Sequence, residues 1–403
     1  VELVPAAKAL EMVLDSCETL EAEKISIDSA IGRVLRQEIV APYDFPRFHR
    51  VMMDGFALRA EDVGADCNSL PLAGEIAAGD QMEIVLKPNT CLRIMTGAPL
   101  PQGADAVVPH EETQEKNGQI LFLRPVIKGQ HIANQGEEAK AGQTLLNPGD
   151  IITAIAVAVM AASGYTQVNV SRMPSLAIVT TGNEVVPADS MPGKNQIRDS
   201  NSWSLAAQAQ AEGISQLTRS HVLDDEAAMA KVLSEALRSD IVIVAGGVAE
   251  GKYDLAPTVL KSLGVKKIFH QVAQKPGKPL WFGKKNKTIV FGAPGNPLAT
   301  LITFDLFVRP AIAKMTGKKV LFPTFDGKIM ADVAYKTNRN INAFVKAVWE
   351  EQEYSIYPLH GCGSADVFHQ SEANALMQLP AGKHEFRKGQ IVKFRFIGLT
   401  PGV

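Results

Sequence analysis

A multidomain chain of class α/β plus β is the fold this sequence predicts. A central open α/β sheet domain is preceded by a β-rich inserted domain and followed by a small C-terminal β-barrel-like domain. Three observations carry the expectation. From Pro174 onward, short apolar runs alternate with segments of helical period, the pattern of strands and helices taking turns in a mostly parallel sheet. Between Pro42 and Lys140, Gly and Pro recur around brief β-type runs, as in a β module with long loops. After Phe322 the chain turns β-rich again and ends in the alternating stretch QIVKFRFIG. At 403 residues and roughly 100–200 residues per domain, two to four domains are expected. The expected divisions are 1–41 with 141–173 (helical and linker), 42–140 (inserted), 174–321 (α/β) and 322–403 (C-terminal β).

Each element follows from local pattern. In PAAKALEMVLDSCETL, Leu10, Val13, Leu14 and Cys17 recur at i, i+3, i+4, i+7, which predicts an amphipathic helix. CLRIM (91–95) and ADAVVPH (104–110) are expected as strands between turns. The apolar stretch Ile151 to Tyr165 is shorter than the ~20 residues of a membrane span; with Asp150 to cap it and Gly164 to end it, a buried helix is expected. SLAIVTTG, QLTRSHVL, DIVIVAGG and TIVFGAPG are expected as strands of the α/β sheet. DSNSWSLAAQAQAEG, DDEAAMAKVLSEALRS and the long NPLATLITFDLFVRPAIAKMTG are expected as its helices. In QIVKFRFIG, Val392, Phe394 and Phe396 are expected on the buried face and Lys393 and Arg395 on the exposed one.

Composition narrows the function. The net charge of −2 argues against general nucleic-acid binding, which needs a broad basic surface, while leaving room for a local cationic pocket. The 46% hydrophobic and 21% charged residues suit several packed cores. Cys17, Cys67, Cys91 and Cys362 are widely spaced, with no C-x-x-C or Cys/His zinc spacing. Buried thiols in a reducing compartment are therefore expected. No leader and no membrane span are read, so a cytoplasmic location is expected.

In an open α/β sheet, ligands bind beyond the carboxyl ends of the strands. The loops TTGNE (180–184), LDD (223–225), AGGVAEGKYD (245–254) and APGNP (293–297) are expected to converge there, with QKPGKP (274–279) nearby. Glycines such as Gly246 and Gly247 let backbone amides approach an anion. Lys275 and Lys278 supply positive charge for a phosphate or oxyanion, and carboxylates beside them suggest magnesium. Each feature also has a plainer explanation. AGGVAEG can be a tight turn, Asp224 and Asp225 can cap a helix, the lysines can be solvated surface charges, and PGKP and PGNP can be architectural. The residues alone point to an anionic ligand, with magnesium as a companion, and do not name it.

The motifs MMDGFAL (52–58), RIMTGAPLPQGADAVV (93–108), QGEEAKAG (135–142), TTGNEVV (180–186), QIRDSN (196–201), AGGVAEGKYD, QKPGKP, APGNP and GCGSADVF (361–368) occur in the order seen in one family. Over nearly its whole length the chain resembles the MoeA family, the molybdopterin molybdenumtransferases, which includes the C-terminal domain of gephyrin. The resemblance implies a four-domain homodimer whose central domain is MogA-like, similar to the adenylyltransferase one step upstream. It implies insertion of molybdate into adenylylated molybdopterin with release of AMP, aided by Mg2+ or another divalent metal. Carried over residue by residue, it implies catalytic roles for Asp54, Glu138, Glu184, Asp224 and Asp254, of which Asp54, Glu184, Asp224 and Asp254 would hold metal. It implies substrate contacts from Gly246, Gly247, Lys275, Lys278, Pro294, Asn296, Lys346 and Ser364. In the family dimer Asp54 would face the other subunit's α/β pocket.

Several positions depart from the family pattern. Met52 replaces an alanine, Glu138 an aspartate, Asn183 an aspartate, Ala249 a serine, Gln271 a lysine and Lys346 an arginine. Ala293 and Ala299 replace leucine and serine, and Ala133-Asn134-Gln135 lacks the usual basic residues. These changes weaken local positive charge and remove bidentate geometry. Two alternatives to an active transferase therefore stand: a paralog handling another oxyanion such as tungstate, and a non-catalytic pterin-binding scaffold.

Overall fold

The computed structural model describes residues 3–64, 67–79, 84–248 and 254–398. The chain forms two compact units, Val1–Glu23 with Val170–Val403, and Lys24–Asn169. Helix α1, Ala6–Ser16, buries Ala9 and Val13, with Cys17 just beyond its end, so the predicted amphipathic helix forms.

In the unit Lys24–Asn169, six strands make one sheet: β1 (Gly55–Leu58), β2 (Ser69–Ile76), β3 (Cys91–Ile94), β4 (Ala106–Pro109), β5 (Thr113–Lys116) and β6 (Gln119–Phe122), in the order β4-β1-β3-β2-β6-β5. Alternate residues feed two cores. Ala57, Ile94 and Val107 lie in one; Phe56, Leu58, Cys91 and Val108 lie in the other. That period of two follows from the pleat. Gly55 is required here, because a Cβ would fall 2.0 Å from Val108 O.

Helix α2 spans Ala154–Ala162 and corrects two expectations. Its N-cap is Thr153, whose Oγ1 accepts from Ala156 N at 3.2 Å, while Asp150 instead accepts from Asn147 N at 2.7 Å. Only Ala156 and Met160 of the helix are buried, and Ile155 is 78% exposed. An alanine-rich apolar run is not by itself a buried one, because small side chains leave little surface to hide.

The α/β sheet holds β7 (Leu176–Thr181), β8 (Leu217–Val222), β9 (Ile241–Ala245), β10 (Lys266–His270), β11 (Trp281–Lys285) and β12 (Thr288–Ala293), in the order β8-β7-β9-β12-β11-β10. The first four are parallel; β11 runs antiparallel to both β12 and β10. The central strands are covered on both faces: Ile178, Ile243 and Phe291 enter one core, Val179, Val244 and Val290 the other. Full burial explains the unbroken apolar runs LAIV and IVIVA. Helices α3 (Asn201–Ala211), α4 (Glu226–Ala236) and α5 (Ala256–Ser262) follow β7, β8 and β9 in sequence.

The long last helix is interrupted. α6 (Pro297–Thr303) and α7 (Arg309–Thr316) are joined by one π turn, Phe304–Val308. Pro310 carries no N–H, so a regular ladder cannot close there, and a wider turn accommodates the missing bond.

The C-terminal strands β13 (Phe325–Ile329), β14 (Asn340–Glu350), β15 (Glu353–Pro358), β16 (Ala375–Leu379) and β17 (Ile391–Phe396) pair in a closed ring, β14-β15-β13-β17-β16 and back to β14. Closure leaves no open edge within the ring. One expectation on β17 fails. Lys393 is exposed, but Arg395 is 4% exposed because its guanidinium reaches the fully buried Asp305 of the π turn. Asp305 also takes the guanidinium of Arg309, which reaches Glu212 at 2.5 Å. A buried arginine on a polar-looking register is explained by that carboxylate partner.

Two of the four thiols, Cys17 and Cys91, are buried, and burial pushes each up to about 12. Cys67 and Cys362 are exposed, contrary to the expectation of buried thiols. No helix among the described residues is long and apolar enough to cross a membrane.

Candidate functional site

The carboxyl ends of the parallel strands β7, β8, β9 and β12 carry loops that meet around one cavity of about 810 Å³. Thr180 to Gly182 and Glu184 come from the end of β7, Asp224 from beyond β8, Ala245 to Val248 and Asp254 from beyond β9, and Pro294 to Pro297 from beyond β12. The expected convergence of four loops is therefore observed. Arg198, Asp199, Ser200 and Asn201, leading into α3, close one side. Ala365, Val367 and Phe368 of the loop before β16 close another. Residues 249–253 of the loop after β9, including Ala249, lie outside the described residues.

Hydroxyls hold two of the carboxylates. Thr181 Oγ1 donates to Asp224 Oδ1 at 2.8 Å, and Asp224 N donates to Asn183 Oδ1 at 3.1 Å. The asparagine that departs from the family pattern thus positions a neighbouring carboxylate. Thr180 Oγ1 donates to Asp199 Oδ2 at 2.9 Å and lies 3.2 Å from His221 Nδ1. Asp199 Oδ1 also accepts from Ser202 N at 2.9 Å, so it occupies a free amide at the start of α3. Asp225 caps α4 through Ala228 N at 2.7 Å, leaving Asp224 to the cavity. The plainer explanation holds for Asp225 and not for Asp224.

Gly246 and Gly247 sit at the turn after β9 with φ of +96° and +60°. A Cβ on Gly246 would fall 2.7 Å from Thr181 O. Only glycine lets the β9 turn lie that close to the end of β7. Asn296 Nδ2 donates to Ser364 Oγ at 2.7 Å, and Leu298 N donates to Ser364 O at 3.0 Å. These bonds tie the 361–368 loop to the start of α6. Asn201 Nδ2 donates to Gly295 O at 2.7 Å, while its Oδ1 is buried without a hydrogen-bond partner among the described residues.

Other expected residues lie elsewhere. Lys275 and Lys278 are exposed and do not line the cavity; their turn reaches it through Pro279. Lys346 pairs with Glu372 at 2.8 Å and is not among the lining residues. Gln271, where the family carries lysine, is 8% exposed with φ +69°, and its carbonyl accepts from Val4 N. Asp54 and Glu138 belong to the unit Lys24–Asn169. Asp54 Oδ1 accepts from Thr96 Oγ1 and Thr96 N, each at 2.6 Å, and these bonds hold its carboxyl below the usual range. Glu138 accepts from Arg50 Nη2 at 2.6 Å.

The described lining of the cavity is acidic. Among the described residues, Glu184, Asp199, Asp224 and Asp254 face it against one lining cation, Arg198. An anionic ligand entering such a cavity needs an intervening cation, and oxygen donors of this kind suit a hard divalent ion. No three of these carboxylates bring oxygens within 4.8 Å of one another. The residues therefore fit an ion held by one or two acids and a phosphate, not an all-protein cage. The sequence reading missed Thr180, Thr181, Asp199, Asn201 and His221. The signal was present in QIRDSN, an aspartate and serine just ahead of a helix.

Comparison with known proteins agrees along the chain. The MoeA N-terminal region (domain I and II) matches residues 4–164, a probable molybdopterin binding domain matches 177–314, and the MoeA C-terminal region (domain IV) matches 328–397. A Molybdopterin molybdenumtransferase of Staphylococcus epidermidis is 33% identical over 397 residues, covering 96% of this chain and 94% of the relative. One from Staphylococcus aureus is 32% identical with the same coverage. The crystal structure of the molybdopterin biosynthesis MoeA protein from Pyrococcus horikoshii superposes with a TM-score of 0.82 at 29% identity, covering 98% of this chain and 100% of that one. With the fold, the strand-end cavity and full-length relatives in agreement, the chain belongs to the MoeA family.

Proposed function

We propose that this chain is a molybdopterin molybdenumtransferase of molybdenum cofactor biosynthesis, and that it inserts molybdate into adenylylated molybdopterin and releases AMP. The observation that carries the reading is the strand-end cavity, with four carboxylates, glycine-lined backbone and one uncommitted buried acceptor, in a chain matched from end to end by relatives of that name. That full-length match does not favour a non-catalytic scaffold.

Within this proposal, Asp224 and Glu184 hold a divalent metal, with Asp254 beside them. Mg2+ bound there would supply positive charge against the phosphates of the substrate. Thr181 and Asn183 keep Asp224 aimed into the cavity. Asn201 Oδ1 accepts an N–H from the ligand. Gly246 and Gly247 let the anhydride approach the backbone, Pro294 and Asn296 shape the wall, and Ser364 holds the adjoining loop for molybdate. Lys275, Lys278 and Lys346 contribute positive charge to incoming anions from outside the cavity. Asp54 and Glu138 act from the inserted region, Asp54 serving a second copy of the chain in a homodimer. The exposed Ile31, Ile151 and Ile155 support packing between copies. We also propose the four-part division 1–41 with 141–173, 42–140, 174–321 and 322–403, a cytoplasmic location, and an upstream adenylyltransferase as the source of substrate.

The test is incubation of the purified chain with adenylylated molybdopterin, Mg2+ and molybdate, following AMP and activation of an apo-molybdoenzyme. Molybdate-dependent AMP release with active apo-enzyme is expected. Pterin binding without AMP release would overturn the assignment of transferase activity.

A further inference from the structure

The loop before β16 holds a second cluster of ligand-type side chains. Cys362, Asp366 and His369 each present a ligand atom, and the three atoms lie within 4.8 Å of one another. Asp366 anchors the cluster. Its Oδ2 accepts from Cys362 N at 2.7 Å and lies 2.8 Å from His369 Nδ1; its Oδ1 accepts from His369 N at 3.2 Å. Beside it, Gln370 Oε1 is buried without a hydrogen-bond partner among the described residues. Gly361 leaves room for this arrangement: a Cβ there would fall 2.7 Å from Gln370 Nε2 and 3.3 Å from Asp366 Oδ2.

We propose that Cys362, Asp366 and His369 form a binding site for a zinc-class divalent cation, separate from the acidic cavity. A thiolate, an imidazole and a carboxylate are the donor set of a borderline-soft ion and a poor set for magnesium. In a tetrahedral zinc centre, ligand atoms lie roughly 3.3–3.6 Å apart. The His369–Asp366 pair must open by roughly half an ångström to reach that spacing, and Cys362 must turn inward. Cys362 and His369 are exposed, so rotation about their side-chain bonds suffices. Binding releases the thiol proton, and the fourth position stays open to water or a small ligand. Ala365, Val367 and Phe368 of the same loop line the cavity, and Ser364 bonds Asn296. An ion on the cluster therefore fixes one cavity wall. The site rests on its own residues and stands whether or not the chain transfers molybdenum.

Cobalt(II) added to the metal-free chain tests the site. One equivalent is expected to give a thiolate-to-cobalt charge-transfer band that zinc displaces and excess Mg2+ does not. Cys362→Ser abolishes the band, His369→Ala weakens cobalt binding at least tenfold, and Cys67→Ser, at the other exposed thiol, leaves both unchanged. Each variant should melt with the parent when no metal is present. Absence of the band at one equivalent, its survival in Cys362→Ser, or its loss to Mg2+ would overturn the proposal.

Discussion

At the scale of residues, carboxylates divide by their partners. Asp240 is structural: Arg172 Nη1 and Nη2 reach its two oxygens at 2.8 and 2.9 Å, and Ser175 N and Oγ donate to it at 2.7 Å. Burial pushes this carboxyl up, but the arginine and the serine outweigh it, and the net direction is down. A lowered carboxyl stabilises the fold above its unfolded value of about 3.9 and loses that contribution as the pH falls through its folded value. Asp240→Asn should therefore cost about 1–3 kcal/mol at neutral pH, with the gap from the parent narrowing below about pH 4. Urea melts at several pH values measure this, and a gap independent of pH would remove the charge from the explanation. The Asp54 carboxyl, in contrast, takes its hydrogen bonds from Thr96 among the described residues. Asp54→Ala is expected to slow AMP release by on the order of 10²-fold with an unchanged circular dichroism spectrum, and full turnover would exclude Asp54 from the reaction. Neither the Asp240 cluster nor the Asp305–Arg395 pair was legible in sequence, since these partners lie 65 to 90 positions apart.

Elements were the most legible scale. LAIV and IVIVA announced central strands because both faces are covered, and DDEAAMAKVL announced a capped helix because Asp225 supplies the cap. Misjudgements arose where a tertiary partner overrides local pattern, as at Arg395, or where apolar composition stood in for burial, as in α2. Gly246 marks where an element end becomes a site. With φ +96° and Thr181 O only 2.7 Å from an added Cβ, Gly246→Ala should cost roughly 1–3 kcal/mol and weaken ligand binding by separating the β7 and β9 loops. Thermal melts together with pterin titration check it; an unchanged affinity would mean that the turn tolerates a side chain. The helix pair α6–α7 meets the barrel through Asp305 and Arg395, and removing one buried partner strands the other charge. Asp305→Ala is expected to destabilise the fold by about 3–5 kcal/mol, readable as an early denaturant midpoint.

For the whole molecule, order along the chain was the informative feature. A β-rich segment, a strand–helix alternation and a second β-rich segment were visible from periodicity, and the closed C-terminal ring completes the last of them. The strand-end loops were foreseeable as a meeting point because ligands of open α/β sheets collect there. The distribution of charge was not. The sequence suggested lysines at the pocket, whereas the described lining carries four carboxylates and one arginine, and Lys275 and Lys278 stand outside it. That difference gives the divalent ion its role, since carboxylates lining a cavity repel an anhydride unless a cation lies between them. The most direct test compares molybdate-dependent AMP release by the parent chain and by Asp224→Asn, across a Mg2+ titration at saturating adenylylated molybdopterin. Release by the parent is expected to rise with Mg2+, and the variant to lose on the order of 10²-fold, which excess Mg2+ only partly restores. Equal release by the two proteins, or release independent of the metal, would contradict the placement of the reaction in this cavity.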